Sequence, residues 1–382
     1  MLEDFLDKKP LYYDEIDYTR MPRIYAKVAK HFHLPRVIHI IGTNGKGTTG
    51  RFLATALFNL GYNTGHYTSP HILHFNERIW YNNENVSMEA LEETHEKLLE
   101  ILEDVDANTL SYFEYTTLLA MLFFSDKTDF IVLEAGLGGE HDATAVFKND
   151  LTLVTPIAKD HEAFLGDKIE AIATTKLEAI KKSAILGDQR YSCVYDIAKK
   201  VTDEKNLQLF RVEELLDEND LSLIKSIVKK ESLVSYLEDN LALATAALKY
   251  FKLNVSQKHF SNARLFGRLT PLHKNILLDV GHNTLAATAI LESLAGKKYR
   301  LIYNSYKDKN YKEILFILKP IIKEVEIIDI TTIRAANERY LEEALEDLKI
   351  PYTKFHTIEE DKEYLVFGSF SVVEAFLKVY NG

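Results

Sequence analysis

The sequence predicts an α/β protein: a mostly parallel sheet domain containing a phosphate-binding loop (P-loop), followed by a smaller, Rossmann-like α/β domain at the C-terminal end. Two observations predict this fold. Short apolar runs alternate along the chain with segments of helical periodicity, which is the pattern of strands and helices in α/β folds. The first apolar run leads directly into a glycine-rich turn and a helical segment. The 382 residues are enough for two domains, which we place at 1–260 and 261–382.

The elements of the first domain are predicted from two kinds of periodicity. Continuous apolar runs indicate strands buried on both faces, as in a parallel sheet, and these runs occur at 37–41 (VIHII), 129–136 (DFIVLEAG) and 151–157 (LTLVTPI). Apolar residues at helical spacing predict helices, and this spacing occurs at 50–62, 87–105 and 115–126.

The second domain is predicted from the return of the strand pattern. After residue 200 the sequence is charged and helical as far as 240–251 (NLALATAALKYF). Strand patterns with helical segments between them then occur at 265–283, 298–306, 323–330 and 362–369. A second series of alternating strands and helices predicts a second α/β domain, with a boundary near 256–270.

The composition excludes several classes of protein. The chain has 46 basic and 57 acidic residues and a net charge of −11, which argues against a broad surface for nucleic acid or for an anionic membrane. The single cysteine, Cys193, has no intramolecular disulfide partner, which suits a reducing compartment. No window reaches the ~18 apolar residues of a membrane span, and the N-terminal segment lacks the apolar core of a signal peptide. We therefore expect a cytoplasmic protein with no nucleic-acid partner and no membrane partner.

The stretch GTNGKGTT after the first predicted strand predicts an anion-binding turn. Glycines at 42, 45 and 47 allow a tight turn and a close approach to a ligand. The amides at the start of the following helix then point at one place, and phosphate is the usual anion there. The pattern departs from G-x-x-x-x-G-K-[ST], because Ile40 replaces the first glycine and Gly47 separates lysine from threonine. An ordinary glycine turn is the alternative.

The candidate nucleotide-binding residues of this turn share backbone amides, hydroxyls or a positive charge. Lys46 supplies a point charge for the terminal phosphates, and Thr48 and Thr49 supply hydroxyls for a phosphate or its Mg²⁺. The complete set is Gly42, Thr43, Asn44, Gly45, Lys46, Gly47, Thr48 and Thr49.

Two further strand ends carry polar residues suited to the same edge of the sheet. The second predicted strand ends on Glu134, and the third is followed by Asp160 and His161. The carboxyl ends of parallel strands form the edge at which α/β proteins bind ligands, and Mg²⁺ takes oxygen ligands. Glu134 is therefore a candidate metal ligand; a solvated glutamate at a strand end is the alternative.

The motifs together resemble a known family. HIIGTNGKGTT (39–49), followed by GHYTSPHILHFNERI (65–79), resembles the folylpolyglutamate synthase/dihydrofolate synthase family of the Mur ligase superfamily. In that family a glycine follows the lysine of the loop, as Gly47 does here, and TSPH followed by ERI is specific to the folate branch. Further matches, in the expected order, are FEYTTLLA (113–120), EAGLGGEHDAT (134–144), DHEAFLGDKIEAIATTK (160–176), FGR (266–268), LLDVGHN (277–283), DKN (308–310) and GSF (368–370).

This resemblance implies an activity and its partners. ATP phosphorylates a carboxylate of dihydropteroate or of a folate, and the amine of L-glutamate attacks the acyl phosphate, which yields an amide, ADP and phosphate. The family implies two Mg²⁺ ions and a monomer. It also implies that 1–260 is an ATP-binding P-loop domain of the Mur ligase central type and that 261–382 is a Mur ligase C-terminal-type domain.

The resemblance also implies roles for individual residues. Ser69 and Glu134 resemble the ligands of one Mg²⁺, and His161 joins Glu134 at the second. Lys176 aligns with a lysine that the family carbamylates, so that Lys46, Lys176 and His161 are the candidate catalytic residues. Asp279 and His282 resemble groups that hold ATP, Arg268 resembles an arginine that reaches its phosphates, and Asn240 resembles an asparagine near the nucleotide.

Several alternatives remain open from the sequence. Arg78 is a candidate partner for a substrate carboxylate, with a surface salt bridge as the alternative. Lys176 taken by itself reads as a solvated helix lysine. For the whole chain, the alternatives are a Mur-type ligase for cell-wall precursors and a nucleotide-binding scaffold without catalysis.

Overall fold

The computed structural model describes residues 1–10, 17–160 and 162–381. The chain divides into two compact units: unit 1 is Met1–Leu233 with Leu237–Ala263, and unit 2 is Val234–Tyr236 with Arg264–Gly382. The short segment 234–236 belongs to unit 2 because Val234 and Tyr236 pack on its core. The predicted boundary between 260 and 261 instead puts that segment in the first domain.

Unit 1 is built on an eight-stranded sheet within the described residues, in the order β4-β3-β2-β5-β1-β6-β7-β8. Its strands are β1 (Arg36–Ile41), β2 (Thr64–Tyr67), β3 (Ile79–Tyr81), β4 (Glu84–Asn85), β5 (Phe130–Glu134), β6 (Leu151–Val154), β7 (Ser183–Leu186) and β8 (Gln208–Arg211). All neighbours pair in parallel except β2 with β3 and β3 with β4. The central strands are buried on both faces, which is why their sequences read as continuous apolar runs.

The helices of unit 1 connect and cover this sheet. They are α1 (Leu2–Asp7), α2 (Arg20–Val28), α3 (Lys46–Asn59), α4 (Met88–Ile101), α5 (Asp104–Thr109), α6 (Tyr112–Phe124), α7 (Glu162–Leu165), α8 (Ile169–Leu177), α9 (Ser192–Glu204), α10 (Val212–Leu215), α11 (Glu218–Lys230) and α12 (Leu237–Tyr250).

The strand register determines where the site lies. β1 is central, and Ile40 of β1 is opposite Glu134 of β5, while Ile41 is opposite Val154 of β6. The carboxyl ends of three neighbouring parallel strands therefore meet at one edge. The loop between β1 and α3 leaves the sheet at that edge.

Unit 2 has a six-stranded sheet within the described residues, in the order β13-β12-β11-β14-β10-β9, and only β9 pairs antiparallel. The strands are β9 (Thr270–His273), β10 (Ile276–Leu278), β11 (Tyr299–Tyr303), β12 (Ile322–Ile327), β13 (Tyr352–Lys354) and β14 (Tyr364–Phe367). The helices are α13 (Thr284–Leu294), α14 (Tyr311–Leu318), α15 (Glu338–Asp347) and α16 (Phe370–Asn381). The two mostly parallel sheets confirm the predicted fold class.

The single helix predicted over 87–105 is wrong in one respect. The structure has two helices, α4 and α5, because Leu102 and Glu103 adopt extended backbone. Leu102 is buried in the core of unit 1, so its burial takes precedence over the helical periodicity of the segment. None of the helices in the described ranges is long and apolar enough to cross a membrane.

Candidate functional site

The glycine loop between β1 and α3 holds a conformation that its glycines require. Gly42 has a φ of +138° and Gly45, at the start of α3, has a φ of +87°. A Cβ on Gly42 would lie 2.0 Å from Thr155 Oγ1, and one on Gly45 would lie 2.1 Å from Asn240 Oδ1. Both positions therefore exclude a side chain on steric as well as conformational grounds.

The loop is tied to the end of the neighbouring strand β6. The amide of Thr43 donates to the Pro156 carbonyl at 2.9 Å. The hydroxyl of Thr43 donates to the carbonyl of Ala158 at 3.0 Å and lies 3.0 Å from the Ala158 amide. These bonds hold the loop against the segment that follows β6.

Asn240, predicted to lie near the nucleotide, is brought to the loop by α12. Its side-chain oxygen accepts a hydrogen bond from the hydroxyl of Thr49 at 3.1 Å, and Asn240 is buried. Helix α12 thereby supports the first turn of α3, although Thr49 and Asn240 are 191 positions apart in sequence.

The predicted metal ligands Glu134 and Ser69 also meet at this edge. One oxygen of the buried Glu134 carboxylate accepts from the hydroxyl of Thr68 and from the amide of Ser69, the latter at 3.3 Å. Its other oxygen lies 4.0 Å from the ammonium of Lys46. Glu134 is thus not the solvated strand-end glutamate that was the alternative.

The side chains at this edge fit a Mg²⁺ that is shared with phosphates. Thr48 is 2% exposed, and its hydroxyl has no hydrogen-bond partner in the part of the chain that the structure describes. Within the same residues, no group of three or more His, Cys, Asp or Glu side chains is placed to hold a metal. One carboxylate with hydroxyls is the donor set of a Mg²⁺ that takes its remaining ligands from water and phosphate. His161, predicted as a further ligand, lies outside the described residues.

Lys176 lies on the inner side of the glycine loop and is not a solvated helix lysine. It is 4% exposed, and its ammonium donates to the Gly42 carbonyl at 3.1 Å. Lys46 donates to the same carbonyl at 3.2 Å and to that of Thr43 at 3.1 Å. Burial, assisted by the charge of Lys46, lowers the pKa of Lys176 to about 7, against the opposing effect of Asp160 and Asp142.

The sequence reading missed a cavity of about 270 Å³ between the start of α2 and the turn that follows β5. Its walls include aromatic and acidic side chains, and the lining residues are Tyr18, Pro22, Tyr25, Glu140, His141, Asp142, Ala145 and Val146. The same turn runs along Lys176, since a Cβ on Gly139 would lie 2.5 Å from the Lys176 carbonyl oxygen. The GLGG sequence of this turn was its only local signal, and it does not reveal a cavity that α2 helps to form.

Arg78 is buried and is not part of a surface salt bridge. It is 8% exposed, its Nε donates to His71 Nδ1 at 2.8 Å, and its guanidinium lies 5.1 Å from the ring centre of Tyr112. Burial and the charge of Arg78 lower the pKa of His71 to about 4, so the imidazole accepts this bond in its neutral form. Among the described residues no carboxylate forms an ion pair with Arg78, so the charge of this guanidinium is available to an anionic ligand.

In unit 2, the predicted residues Asp279, Arg268 and His282 lie on two adjoining turns. The buried carboxylate of Asp279 accepts from the Tyr236 hydroxyl at 2.8 Å, the Leu269 amide at 2.9 Å and the Gly281 amide at 2.7 Å. Burial raises the pKa of Asp279, although Arg268 opposes this shift. Asp279 therefore holds together the turns that carry Arg268 and His282.

Comparisons with known proteins place this chain among its relatives. No model of a protein family matches the chain. Dihydrofolate synthase/folylpolyglutamate synthase of Buchnera aphidicola subsp. Schizaphis graminum is 32% identical over 370 residues, covering 88% of this chain and 86% of the relative.

Solved structures are similar over the whole chain. Helicobacter pylori folylpolyglutamate synthetase is 37% identical with a TM-score of 0.81, and the match covers 100% of this chain and 98% of that chain. E. coli FolC in complex with DHPP and ADP is 26% identical with a TM-score of 0.82, covering 100% of this chain and 97% of that chain. The chain therefore belongs to the dihydrofolate synthase/folylpolyglutamate synthase family and is an ATP-dependent ligase that joins a carboxylate to an amine.

Proposed function

We propose that this ligase joins L-glutamate to dihydropteroate or to a folate, through an acyl phosphate formed with ATP. The observation that carries the proposal is the convergence of Lys46, Glu134 and Lys176 on the glycine loop. The similarity to E. coli FolC, whose structure contains DHPP and ADP, supports the same classes of ligand here.

The reaction needs a site that stabilises negative charge. A carboxylate oxygen of the acid substrate attacks the terminal phosphorus of ATP, and ADP leaves with the electrons of the broken P–O bond. The amine of glutamate then attacks the acyl carbon, phosphate leaves, and the nitrogen loses a proton. Because both reactants of the first step are anions, cations must offset their repulsion. Lys46, held on the loop, is the residue that we assign to this role.

The chain's own donors for the metal are the hydroxyls and the carboxylate beside the loop. We assign Ser69 and Glu134 to one Mg²⁺ and Glu134 with His161 to a second. The hydroxyl of Thr48, which has no hydrogen-bond partner in the described ranges, supports a cation at this place. When bound, Mg²⁺ neutralises phosphate charge and polarises the phosphoryl oxygens. In unit 2 we assign Arg268 and His282 to the nucleotide, with Asp279 holding their turns.

Lys176 has the properties that carbamylation requires. An amine adds to CO₂ only in its neutral form, and the lowered pKa of about 7 makes much of the Lys176 amine neutral at physiological pH. The addition forms one N–C bond and releases one proton, so that an ammonium is replaced by an anion. The neighbouring charge of Lys46 disfavours an ammonium at this position and favours an anion.

Replacing Lys176 by methionine is expected to flatten the pH dependence of stability. The ordinary lysine pKa of 10.5 holds in the unfolded chain and about 7 in the folded one. Between these values the unfolded chain binds more protons, so the free energy of unfolding of the wild type rises with pH, by at most about 1.4 kcal/mol per unit. The measurement is urea denaturation in CO₂-free buffer across this window. Met in place of the exposed Lys168 is the control, and identical slopes for wild type and Lys176→Met would contradict the prediction.

The cavity beside Lys176 is the place that we assign to the ring system of the acid substrate. Its aromatic lining from Tyr18 and Tyr25 suits a flat heteroaromatic group, and the carboxylates of Glu140 and Asp142 suit ring N–H donors. We assign Arg78 to a substrate carboxylate, because its buried guanidinium bonds a neutral histidine and lies over an aromatic ring but has no carboxylate partner within the described residues.

Replacing Arg78 by methionine is expected to raise the KM of a carboxylate substrate by about tenfold or more and to leave the KM of ATP unchanged, because a charge-assisted hydrogen bond is lost. Steady-state kinetics with each substrate varied in turn measures this. Arg36→Met is the control, since Arg36 also stacks on aromatic rings, those of Phe130 and Phe251. Arg36 lies at the start of β1, whereas the glycine loop follows the end of that strand. If the two substitutions change every KM equally, the assignment of Arg78 to the substrate site is wrong.

The proposed function is tested by ADP release with three substrate pairs. These are dihydropteroate with glutamate, tetrahydrofolate with glutamate, and a nucleotide-linked muramyl acid with its amino acid. We expect stimulation by at least one of the first two pairs. Stimulation by the muramyl substrate alone would favour the cell-wall ligase, and no stimulation by any pair would favour a scaffold without catalysis.

A further inference from the structure

A buried chain of hydrogen bonds runs from the centre of the sheet of unit 1 to the wall of the cavity. His39 lies in the middle of β1 and is 1% exposed. Its Nε2 lies 2.8 Å from the hydroxyl oxygen of Thr144, which donates in turn to Oδ1 of Asp142. Asp142 lines the cavity, whereas His39 and Thr144 do not.

The direction of every bond in this chain follows from the groups present. Burial raises the pKa of Asp142, although the hydrogen bonds from Leu137 and Thr144 oppose this shift. As a carboxylate Asp142 only accepts, so the Thr144 hydroxyl donates its single proton to it. The Thr144 oxygen must therefore accept from His39, which places the histidine proton on Nε2. The Nδ1 atom of His39 has no hydrogen-bond partner among the described residues, as this tautomer allows. Burial, with a smaller effect of Lys181, lowers the pKa of His39 to about 3, so the imidazole is neutral in the working range of the enzyme.

This series of hydrogen bonds, together with two backbone amides, holds the Asp142 carboxylate. Its Oδ1 also accepts from the Thr144 amide at 2.9 Å, and its Oδ2 accepts from the Leu137 amide at 2.8 Å. The Leu137 bond orders the turn that lies against Lys176. Without the His39 donor, the Thr144 oxygen loses the hydrogen bond that it accepts, and its hydroxyl loses one of the two contacts that fix its rotation against Asp142. The orientation of a cavity-lining carboxylate thus depends on a histidine that does not reach the cavity.

We propose that His39 is a positioning residue for the acid substrate, which holds the Asp142 carboxylate in the cavity wall through the hydroxyl of Thr144. The inference rests on the proposed function in one respect, namely that the cavity receives the ring system of the acid. His39 touches neither the glycine loop's ligand nor the acid, so its effect is confined to the affinity of the cavity. Binding of ATP does not depend on this series of hydrogen bonds.

The test uses pairs of substitutions that remove or retain the donor. His39→Leu removes it, whereas His39→Gln places an amide N–H near the position of Nε2. Thr144→Val removes the bridging hydroxyl and Thr144→Ser retains it. Thr55→Val is the matched control, since Thr55 is a buried threonine whose hydroxyl has no partner among the described residues. The readouts on the full-length protein are the Kd of dihydropteroate by calorimetry and the KM values of dihydropteroate and ATP.

We expect His39→Leu and Thr144→Val to raise the Kd and the KM of dihydropteroate by about tenfold each, the typical effect of one buried hydrogen bond. The double variant is expected to bind dihydropteroate no more weakly than either single variant, because both substitutions break the same series of hydrogen bonds. His39→Gln, Thr144→Ser and Thr55→Val should leave dihydropteroate binding close to that of the wild type, and the KM of ATP should not move in any variant.

Two results would overturn the inference. One is a dihydropteroate Kd that is unchanged in His39→Leu while the wild type binds normally, which would leave the cavity assignment intact and remove His39 from it. The other is a ¹⁵N NMR spectrum, assigned with the His39→Gln variant, in which His39 carries its proton on Nδ1. Absence of dihydropteroate binding by the wild type would instead refute the proposed function, and the inference with it.

Discussion

Replacing Lys46 by alanine is expected to lower kcat by about 10³-fold, the typical loss when one group that stabilises transition-state charge is removed. Lys46 begins helix α3, and its ammonium already lies within 4.0 Å of Glu134 and on the carbonyls of Gly42 and Thr43. The first chemical step brings two anions together, and this charge offsets their repulsion as it develops. Initial rates of ADP release at saturating substrates measure the effect.

The substitution is expected to leave the fold intact. The two hydrogen bonds that Lys46 donates are worth about 1–2 kcal/mol each, and removal of its charge relieves the repulsion that it exerts on Lys176. Lys9→Ala is a matched control, because Lys9 also donates to two backbone carbonyls, those of Ala107 and Leu110, but away from the glycine loop. Thermal unfolding monitors both variants. A kcat for Lys46→Ala close to that of the wild type would refute the phosphate assignment.

Replacing Glu134 by glutamine is expected to shift the Mg²⁺ titration of activity to concentrations at least about tenfold higher. The amide has nearly the shape of the carboxylate but lacks its charge, and Mg²⁺ prefers charged oxygen ligands. The Thr68 hydroxyl that donates to Glu134 can still donate to the amide oxygen, so the strand end keeps its local bonding. Activity as a function of Mg²⁺ at fixed ATP gives the shift.

Glu326→Gln is the control for this prediction. Glu326 matches Glu134 in burial, since each is 5% exposed, and it also lies on a strand. Its partner is Arg300 in unit 2, far in sequence from the glycine loop. We expect an unchanged Mg²⁺ curve for Glu326→Gln. If the curves of both variants coincide with that of the wild type, Glu134 is not a metal ligand.

The strand–loop–helix order and the fold class were predictable because their signals are local. A continuous apolar run, three glycines and a following helical period lie within a few residues of one another, and each reflects backbone conformation or burial. The strands β2, β7 and β8 were not predicted. Each has only four residues and, unlike the equally short β6 in the apolar segment 151–157, does not lie in a longer apolar run that would distinguish it from its neighbours.

The site residues also divide into those that local sequence predicts and those that depend on packing. Glu134 was predictable because it ends a recognisable strand, and parallel strands end at one edge. The contacts of Asn240 with Thr49 and of Arg78 with His71 were not predictable from residue types alone, because they depend on how helices and loops pack. The functional assignments of these residues remain proposals, and that of His161 falls outside the described residues.

The sequence by itself determined the architecture, the glycine-rich turn after β1 and the family, since these depend on patterns that short segments carry. Only the tertiary structure decided the state of the side chains. Lys176 has a lowered pKa and His39 is neutral because distant segments exclude water from both side chains. Desolvation depends on everything packed around a group, and no short stretch of sequence contains that information.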